Sequence, residues 1–297
     1  MPEIYRAHLK DYSEKYKDTF KLKRKDGILE LTFHKNGEPF QWTIDAHSAI
    51  VDLYHNINND WENECLIVTG TGNAFNGAID AENWAQHGYN TPYDWYKGYQ
   101  VMYKRQYSEV RAILDIDIPV ISAINGPIIV HPEHVLLSDI VIATPNTTFY
   151  QLHYPGLNIV PGDGCDTIWR KLLGPNRSRY IQLTGQVITA EQALDWGVIG
   201  EIVPKEKLLE RAWELAETIF MSKDRWQRQL THSLLMQQWR TAFETDLRNS
   251  LAHETLGCMV VGAIGADAKN TKKGGTDEKT WIDEAENMSR QGRGEEP

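Results

Sequence analysis

Apolar positions along the chain follow two periods. In "ILELTFH", residues 28–34, Leu29, Leu31 and Phe33 alternate with Ile28, Glu30 and Thr32, the two-residue period of a strand. "TIDAHSAIVDLYHNI" then switches to helical spacing, with Thr43 as N-cap and His47, Ile50, Val51 and Tyr54 on one face. "CLIVTGTG" (65–72) is a continuous apolar run ending in glycines, a buried strand, and "PVISAI" (119–124) is another. A helix is predicted over 94–114, and "HVLLSDIVIAT" (134–144) reads as helix running into strand. "TIWRKLLG" (167–174) and "TAEQALDWG" (189–197) are helices stopped by glycine. Residues 1–19 read as a short polar helix, and the pattern from Leu208 to Val261 is helical. Strands alternating with helices predict an α/β fold with a largely parallel sheet. The expected division is a core over 1–205, a helical region over 206–265 and a charged, disordered tail over 266–297.

Composition narrows the functional classes. Of 297 residues 41% are hydrophobic, enough for one large core. The net charge of −10 argues against a nucleic-acid surface. Cys65, Cys165 and Cys258 are far apart, with no CxxC spacing, which points away from disulfides and zinc and toward a reducing, cytoplasmic setting. The N-terminus has no apolar signal core, and no stretch is long enough to span a membrane. Aromatic residues crowd "HGYNTPYDWYKGYQ" (87–100), a composition suited to a lid over a bulky apolar ring.

The candidate chemistry gathers around "INGPIIVHPEHVLL" (124–137). Asn125-Gly126 is a turn signal, yet the positions after it, where a backbone would approach a ligand, hold Val130, His131, Pro132, Glu133 and His134. Three segments carry a family resemblance: "GTGNAFNGAIDAENW" (70–84), "IPVISAINGPIIVHPEHVLLSDIVIAT" (118–144) and "GLNIVPGDGCDTIWRKLLGPNRSRYIQLTGQVITAEQALDWGVIGEIV" (156–203). They resemble the two oxyanion segments and the following PGxGG stretch of the crotonase (enoyl-CoA hydratase/isomerase) superfamily. The resemblance covers about residues 20–262. It implies a spiral of ββα units with a C-terminal helical trimerisation region, assembled as a homotrimer or a dimer of trimers.

The departures from that family pattern carry information. Thioester-handling members stabilise an enolate with two backbone N–H groups. The first is available here at Ile79, but the glycine tract that supplies the second is replaced by Val130-His131-Pro132, and proline has no N–H. From Phe75 to Tyr96 there is no Lys or Arg to meet a coenzyme A phosphate. These departures resemble the 6-oxocamphor hydrolase and β-diketone hydrolase branch, which cleaves a carbon–carbon bond between two carbonyls by retro-Claisen hydrolysis without cofactor or metal. The residues matching that branch are Trp42, His47, His131, His153, Asp163 and Glu254.

Such hydrolysis needs a base for water, donors for two oxyanions and an acid for the enolate carbon. The resemblance assigns water activation and proton return to His153–Asp163, and carbonyl polarisation to Trp42 and His131. Glu254 shares a helix face with Leu247, Leu251 and Cys258, so it must find a partner or shift its pKa. A His47–Glu254 pair is the expected second dyad. Glu133 stands where hydratases keep a catalytic acid and is the runner-up; His134 is expected to point elsewhere, and His8, His34, His55, His87 and His232 to be surface or core residues. The leading expectation is therefore a hydrolase of cyclic 1,3-diketones, with no cofactor, no nucleic acid and no membrane among its partners. The alternatives are a coenzyme A thioester hydratase, isomerase or decarboxylase, and a silent ligand-binding trimer.

Overall fold

Asp26 and Gly27, both at positive φ, close a two-residue turn between β1 (Phe20–Lys25) and β2 (Ile28–Phe33), which pair antiparallel after the helix α1 (Leu9–Lys15). The computed structural model describes residues 6–262, so the expected 266–297 tail lies outside the described residues. From β2 onward each unit places one strand in a large sheet, one short strand in a second layer, and then a helix. The first unit is β2, β3 (Gln41–Trp42) and α2 (Ile44–Asn59); the second is β4 (Cys65–Gly70), β5 (Ala78–Ile79) and α3 (Ala81–Gln86). A π-helical turn (Lys97–Tyr103) and α4 (Lys104–Leu114) lead to the third, β6 (Val120–Ile124), a bridge at Ile128 and α5 (Glu133–Leu136). The fourth is β7 (Ile140–Ala143), β8 (Thr148–Phe149) and α6 (Cys165–Thr184).

The large sheet has the order β1-β2-β4-β6-β7-β10, parallel beyond the β1 edge, with β10 (Glu201–Ile202) arriving after β9 (Ile188–Thr189) and α7 (Ala190–Asp195). In the second layer Trp42 pairs with Ile79, Asn76 with Ile128, Ile128 with Phe149, and Phe149 with Ile188. This is the expected ββα spiral. The described residues end in α8 (Leu208–Leu215) and α9 (Arg225–Val261), as the helical pattern predicts.

Local signals explain the element ends. The Thr43 side chain accepts from the Ala46 amide, and Thr189 forms a capping box with Gln192. The helix read over 167–174 does stop at Gly174, whose φ is 74°, and Pro175 starts a second helix in line with it. The strand β2 differs from the alternating expectation: Glu30 is buried too. It is satisfied by Lys23 Nζ at 2.9 Å and by the Trp213 indole at 2.8 Å. Gly126 has no alternative at its position, because a Cβ there would lie 1.9 Å from the Asn73 carbonyl oxygen. Beside it the Asn125 amide donates to the Gly72 and Ala74 carbonyls, tying the loop after β4 to the turn after β6. That knot fixes the two segments that flank the candidate site.

Candidate active site

Trp42 forms the floor. Fully buried, it is held by Phe40 and stacked on His47, with ring centroids 4.6 Å apart, and His131 lies 4.6 Å from it on another side. His47 and His131 are themselves 4.7 Å apart. The short strand β3 places Trp42; the first turn of α2 places His47; the turn before α5 places His131. His131 has a φ of 51°, a left-handed conformation uncommon for a residue with a side chain. It occupies the stretch where glycines were expected, and it keeps a glycine-like backbone while adding an imidazole.

Asp163 lies opposite, in the PGDG turn. Its Oδ2 is 3.0 Å from His153 Nε2 and 3.3 Å from His131 Nδ1. The expected His153–Asp163 pair is therefore present, with His131 joined to it. His131 Nδ1 also lies 2.7 Å from Glu133 Oε1, so the runner-up Glu133 is part of the same array. Gln151, which sequence reasoning missed, holds His153 from behind: its Nε2 is 2.6 Å from His153 Nδ1, while its Oε1 accepts from the Trp169 indole. The Trp169 bond orients the amide so that its NH₂ meets the imidazole. Both nitrogens of His153 are thus engaged.

The expected His47–Glu254 pair is not formed. His47 Nδ1 meets Glu109 Oε2 at 2.8 Å instead. Glu109 Oε1 is 2.9 Å from His134 Nε2, and His134 Nδ1 is 2.9 Å from the Tyr54 hydroxyl. His134 therefore points inward, contrary to expectation. The reason is the crossing of α4 over α2: Glu109 shares the buried face of α4 with Gln106, Val110 and Ile113 and arrives opposite His47. A carboxylate on that apolar stripe was the available sequence signal. Glu254, on α9, lies instead over the PGDG turn, where a Cβ on Gly162 would come within 2.6 Å of its own Cβ.

Charge sorts these groups. Burial pushes Asp163 up, but His153 and His131 overcome it and hold the carboxylate well below its usual range. Burial raises Glu133 and Glu254 well above theirs, and the charge of Asp163 adds to both shifts, so they keep their protons. Burial lowers His47 and His131, which are neutral imidazoles. It lowers His153 as well, but the Asp163 carboxylate outweighs it and raises that imidazole. Around the PGDG turn the ionised Asp163 thus stands beside two neutral carboxyls, a pattern suited to acid–base work.

Several polar atoms that the protein leaves unpaired converge here. Among the described residues, Trp42 Nε1, His47 Nε2, Tyr93 OH, Glu133 Oε2 and Glu254 Oε2 are buried without a hydrogen-bond partner. Each such atom costs about 1–3 kcal/mol, so a concentration of them marks a place built to meet a polar ligand. An apolar cluster of Ile44, Trp84, Tyr89, Tyr93, Met102 and Ile159 adjoins them, with Tyr89 and Tyr93 drawn from the predicted aromatic lid. Ile79 is half-buried in β5 opposite Trp42. Asp80 donates its amide to the Trp42 carbonyl, so strand alternation turns the Ile79 N–H the other way. Glu109, His131, Glu133 and His134 bring one potential ligand atom each within 4.8 Å of one another, as do His153, Asp163 and Cys165. Hydrogen bonds within each group already account for that closeness.

Comparison with known proteins agrees with this architecture. Residues 23–255 match the family model described as enoyl-CoA hydratase/isomerase. A carnitinyl-CoA dehydratase of Salmonella heidelberg (strain SL476) is 31% identical over 208 residues, covering 69% of this chain and 76% of the relative. Among solved structures, a β-diketone hydrolase from the cyanobacterium Anabaena sp. PCC 7120, bound to (S)-3-oxocyclohexyl acetic acid, is 32% identical. That match has a TM-score of 0.78 and covers 84% of this chain and 97% of the other. An enoyl-CoA hydratase from Mycobacterium avium subsp. paratuberculosis K-10 shares the fold at 17% identity and a TM-score of 0.70, over 85% of this chain and 96% of its own. No helix among the described residues is long and apolar enough to cross a membrane. The chain belongs to the enoyl-CoA hydratase/isomerase family, within the crotonase superfamily.

Proposed function

We propose that this protein is a β-diketone hydrolase, opening a cyclic 1,3-diketone to a keto acid by retro-Claisen hydrolysis. The observation that carries this reading is the exchange at residues 130–132. A backbone donor tract suited to a thioester is replaced there by His131, backed by Glu133 and the Asp163–His153 pair. The likeness to the Anabaena β-diketone hydrolase supports the same reading.

The chemistry follows from the groups present. Water adds to one carbonyl carbon, and its proton goes to an imidazole lone pair; His47 Nε2 is neutral and unpaired. Trp42 Nε1–H and the Ile79 N–H are the candidate donors to the oxygen that becomes negative. The tetrahedral adduct then forms a carboxyl group as the ring carbon–carbon bond breaks. The bonding pair moves to the α-carbon and is delocalised onto the second carbonyl oxygen. His131 stands by that enolate and delivers one proton to the α-carbon while regaining one at Nδ1 from Glu133, beside the His153–Asp163 pair. The proton that His47 took from water then returns to Glu133 by way of solvent, so each group ends as it began. Glu254, kept neutral, is a second acid over the PGDG turn. The net reaction consumes one water, and the aromatic and aliphatic cluster beside the site suits an apolar ring. The proposed assembly is a homotrimer or dimer of trimers, for which α9 offers an exposed stripe of Trp226, Leu230 and Leu234.

The test is a panel of mono- and bicyclic 1,3-diketones, followed by loss of enol ultraviolet absorbance and identification of the keto acid. Turnover of none would refute the reading. The relation to carnitinyl-CoA dehydratase favours a second reading, a coenzyme A thioester enzyme. Calorimetry with coenzyme A separates them, since a diketone hydrolase is expected to give no binding heat.

A further inference from the structure

His47 has one nitrogen in a hydrogen bond and one with none, and the group that decides which is which lies far away in sequence. His47 Nδ1 is 2.8 Å from Glu109 Oε2. The other oxygen of Glu109 is 2.9 Å from His134 Nε2, and Tyr54 OH is 2.9 Å from His134 Nδ1. All four side chains are buried. Resting on the diketone-hydrolase reading above, we propose that Glu109 is a positioning residue for this reaction. It fixes His47 as the Nδ1–H tautomer, so that the Nε2 lone pair is presented beside Trp42 and His131.

The direction of every bond in the chain follows from its ends. Burial keeps the Tyr54 hydroxyl protonated, so it donates to His134 Nδ1. His134 must then carry its own proton on Nε2 and donate to Glu109. Burial works against a charge on Glu109, but His47 and His134 overcome it and hold it ionised, so both its oxygens accept. The Glu109 oxygen left for His47 can only receive a proton from Nδ1. A neutral imidazole with Nδ1–H has a bare lone pair at Nε2, the atom that has no partner. A carboxylate that orients a catalytic imidazole in this way acts through tautomer and orientation, without touching substrate. The charged or titratable groups around His47 are Glu109 and Arg105 from α4 and His131 from the turn before α5. Arg105 is occupied with the Ile44 carbonyl, Ser48 and the Tyr89 hydroxyl, which leaves Glu109 as the acceptor at Nδ1.

Two measurements on the full-length protein test this. Side-chain ¹⁵N NMR of the wild type should find His47 protonated at Nδ1 and bare at Nε2; a proton on Nε2 would overturn the proposal. Kinetics of Glu109→Gln, His47→Gln and the double variant should then be compared on a diketone that the wild type hydrolyses. Glu109→Gln should lower kcat by roughly 10²–10⁴-fold, the span of an acid–base group, with KM changed by less than about 3-fold. Its acid limb should move to lower pH, because the carboxylate that raises His47 is gone, a shift that loss of packing alone would not produce. The double variant should be no slower than His47→Gln, since Glu109 acts only through His47. Additive losses, or an unmoved acid limb, would refute the role. Should Glu109→Gln fail to fold, the NMR measurement still decides. An inactive wild type would count against the diketone reading, whereas an active wild type with an equally active Glu109→Gln would count against this inference alone.

Discussion

Replacing Glu254 by glutamine should flatten the pH dependence of stability. In the folded chain burial, helped by the charge of Asp163, raises the Glu254 carboxyl well above its ordinary 4.5. The unfolded chain loses that proton as pH rises through the ordinary value, while the folded chain keeps it. A raised carboxyl pKa therefore leaves stability intact below the unfolded value and erodes it as pH climbs toward the folded one. In that window the folded state holds one proton more than the unfolded state, and the slope is about −1.4 kcal/mol per pH unit. Glutamine has a similar volume and no proton to lose. The difference between variant and wild type should thus grow by about 1.4 kcal/mol per unit, reaching about 2.7 kcal/mol two units above the start of the window. Asp163 has the opposite sign: its pKa is lowered, so its contribution is present above its unfolded value and is lost on acidification. That loss occurs below the window and is common to both proteins. Urea unfolding at about pH 5, 6 and 7 and one protein concentration measures the difference. Parallel stability curves for the two proteins would refute the assignment of a protonated, buried Glu254.

Four further outcomes follow from the site. Asp163→Asn removes the charge shared by His153 and His131, and kcat should fall roughly 10²–10⁴-fold with circular dichroism unchanged. Trp42→Phe keeps an aromatic ring against Phe40 and His47 but loses the indole N–H, so kcat should drop by about 10²-fold or more in the steady-state assay. The pH–rate profile should be a bell. Its acid limb should lie below the ordinary histidine value of 6.5, because burial lowers His47, and its alkaline limb above it, because Asp163 outweighs burial at His153. Gly126→Ala should cost about 3 kcal/mol or more by denaturant unfolding, since the new methyl meets a backbone carbonyl that is tied in place by Asn125.

Much of the architecture was legible because it is local. The Thr43 cap, the Asp26-Gly27 hairpin, the apolar runs of β4 and β6 and the Asn125-Gly126 turn are each specified within a few residues. Trp42, His131, His153 and Asp163 were legible as candidate site residues through the positions that resemble the hydrolase branch, and the structure brings them together. The chain itself also determined that His47 and Glu254 would be buried, since each lies on an apolar helix face. Periodicity identifies the face that leaves water, but it does not identify what meets that face. A buried carboxyl must find a partner or keep its proton, and sequence alone leaves both open. The packing of α4 on α2 decided this for His47 by bringing Glu109 from 62 positions away to 2.8 Å. The approach of α9 to Gly162 left Glu254 buried near the Asp163 and Glu133 carboxyls, so it stays neutral. Residue spacing determined which groups enter the core; only the tertiary structure decided which of them share a proton, because that depends on distances between elements remote in the chain.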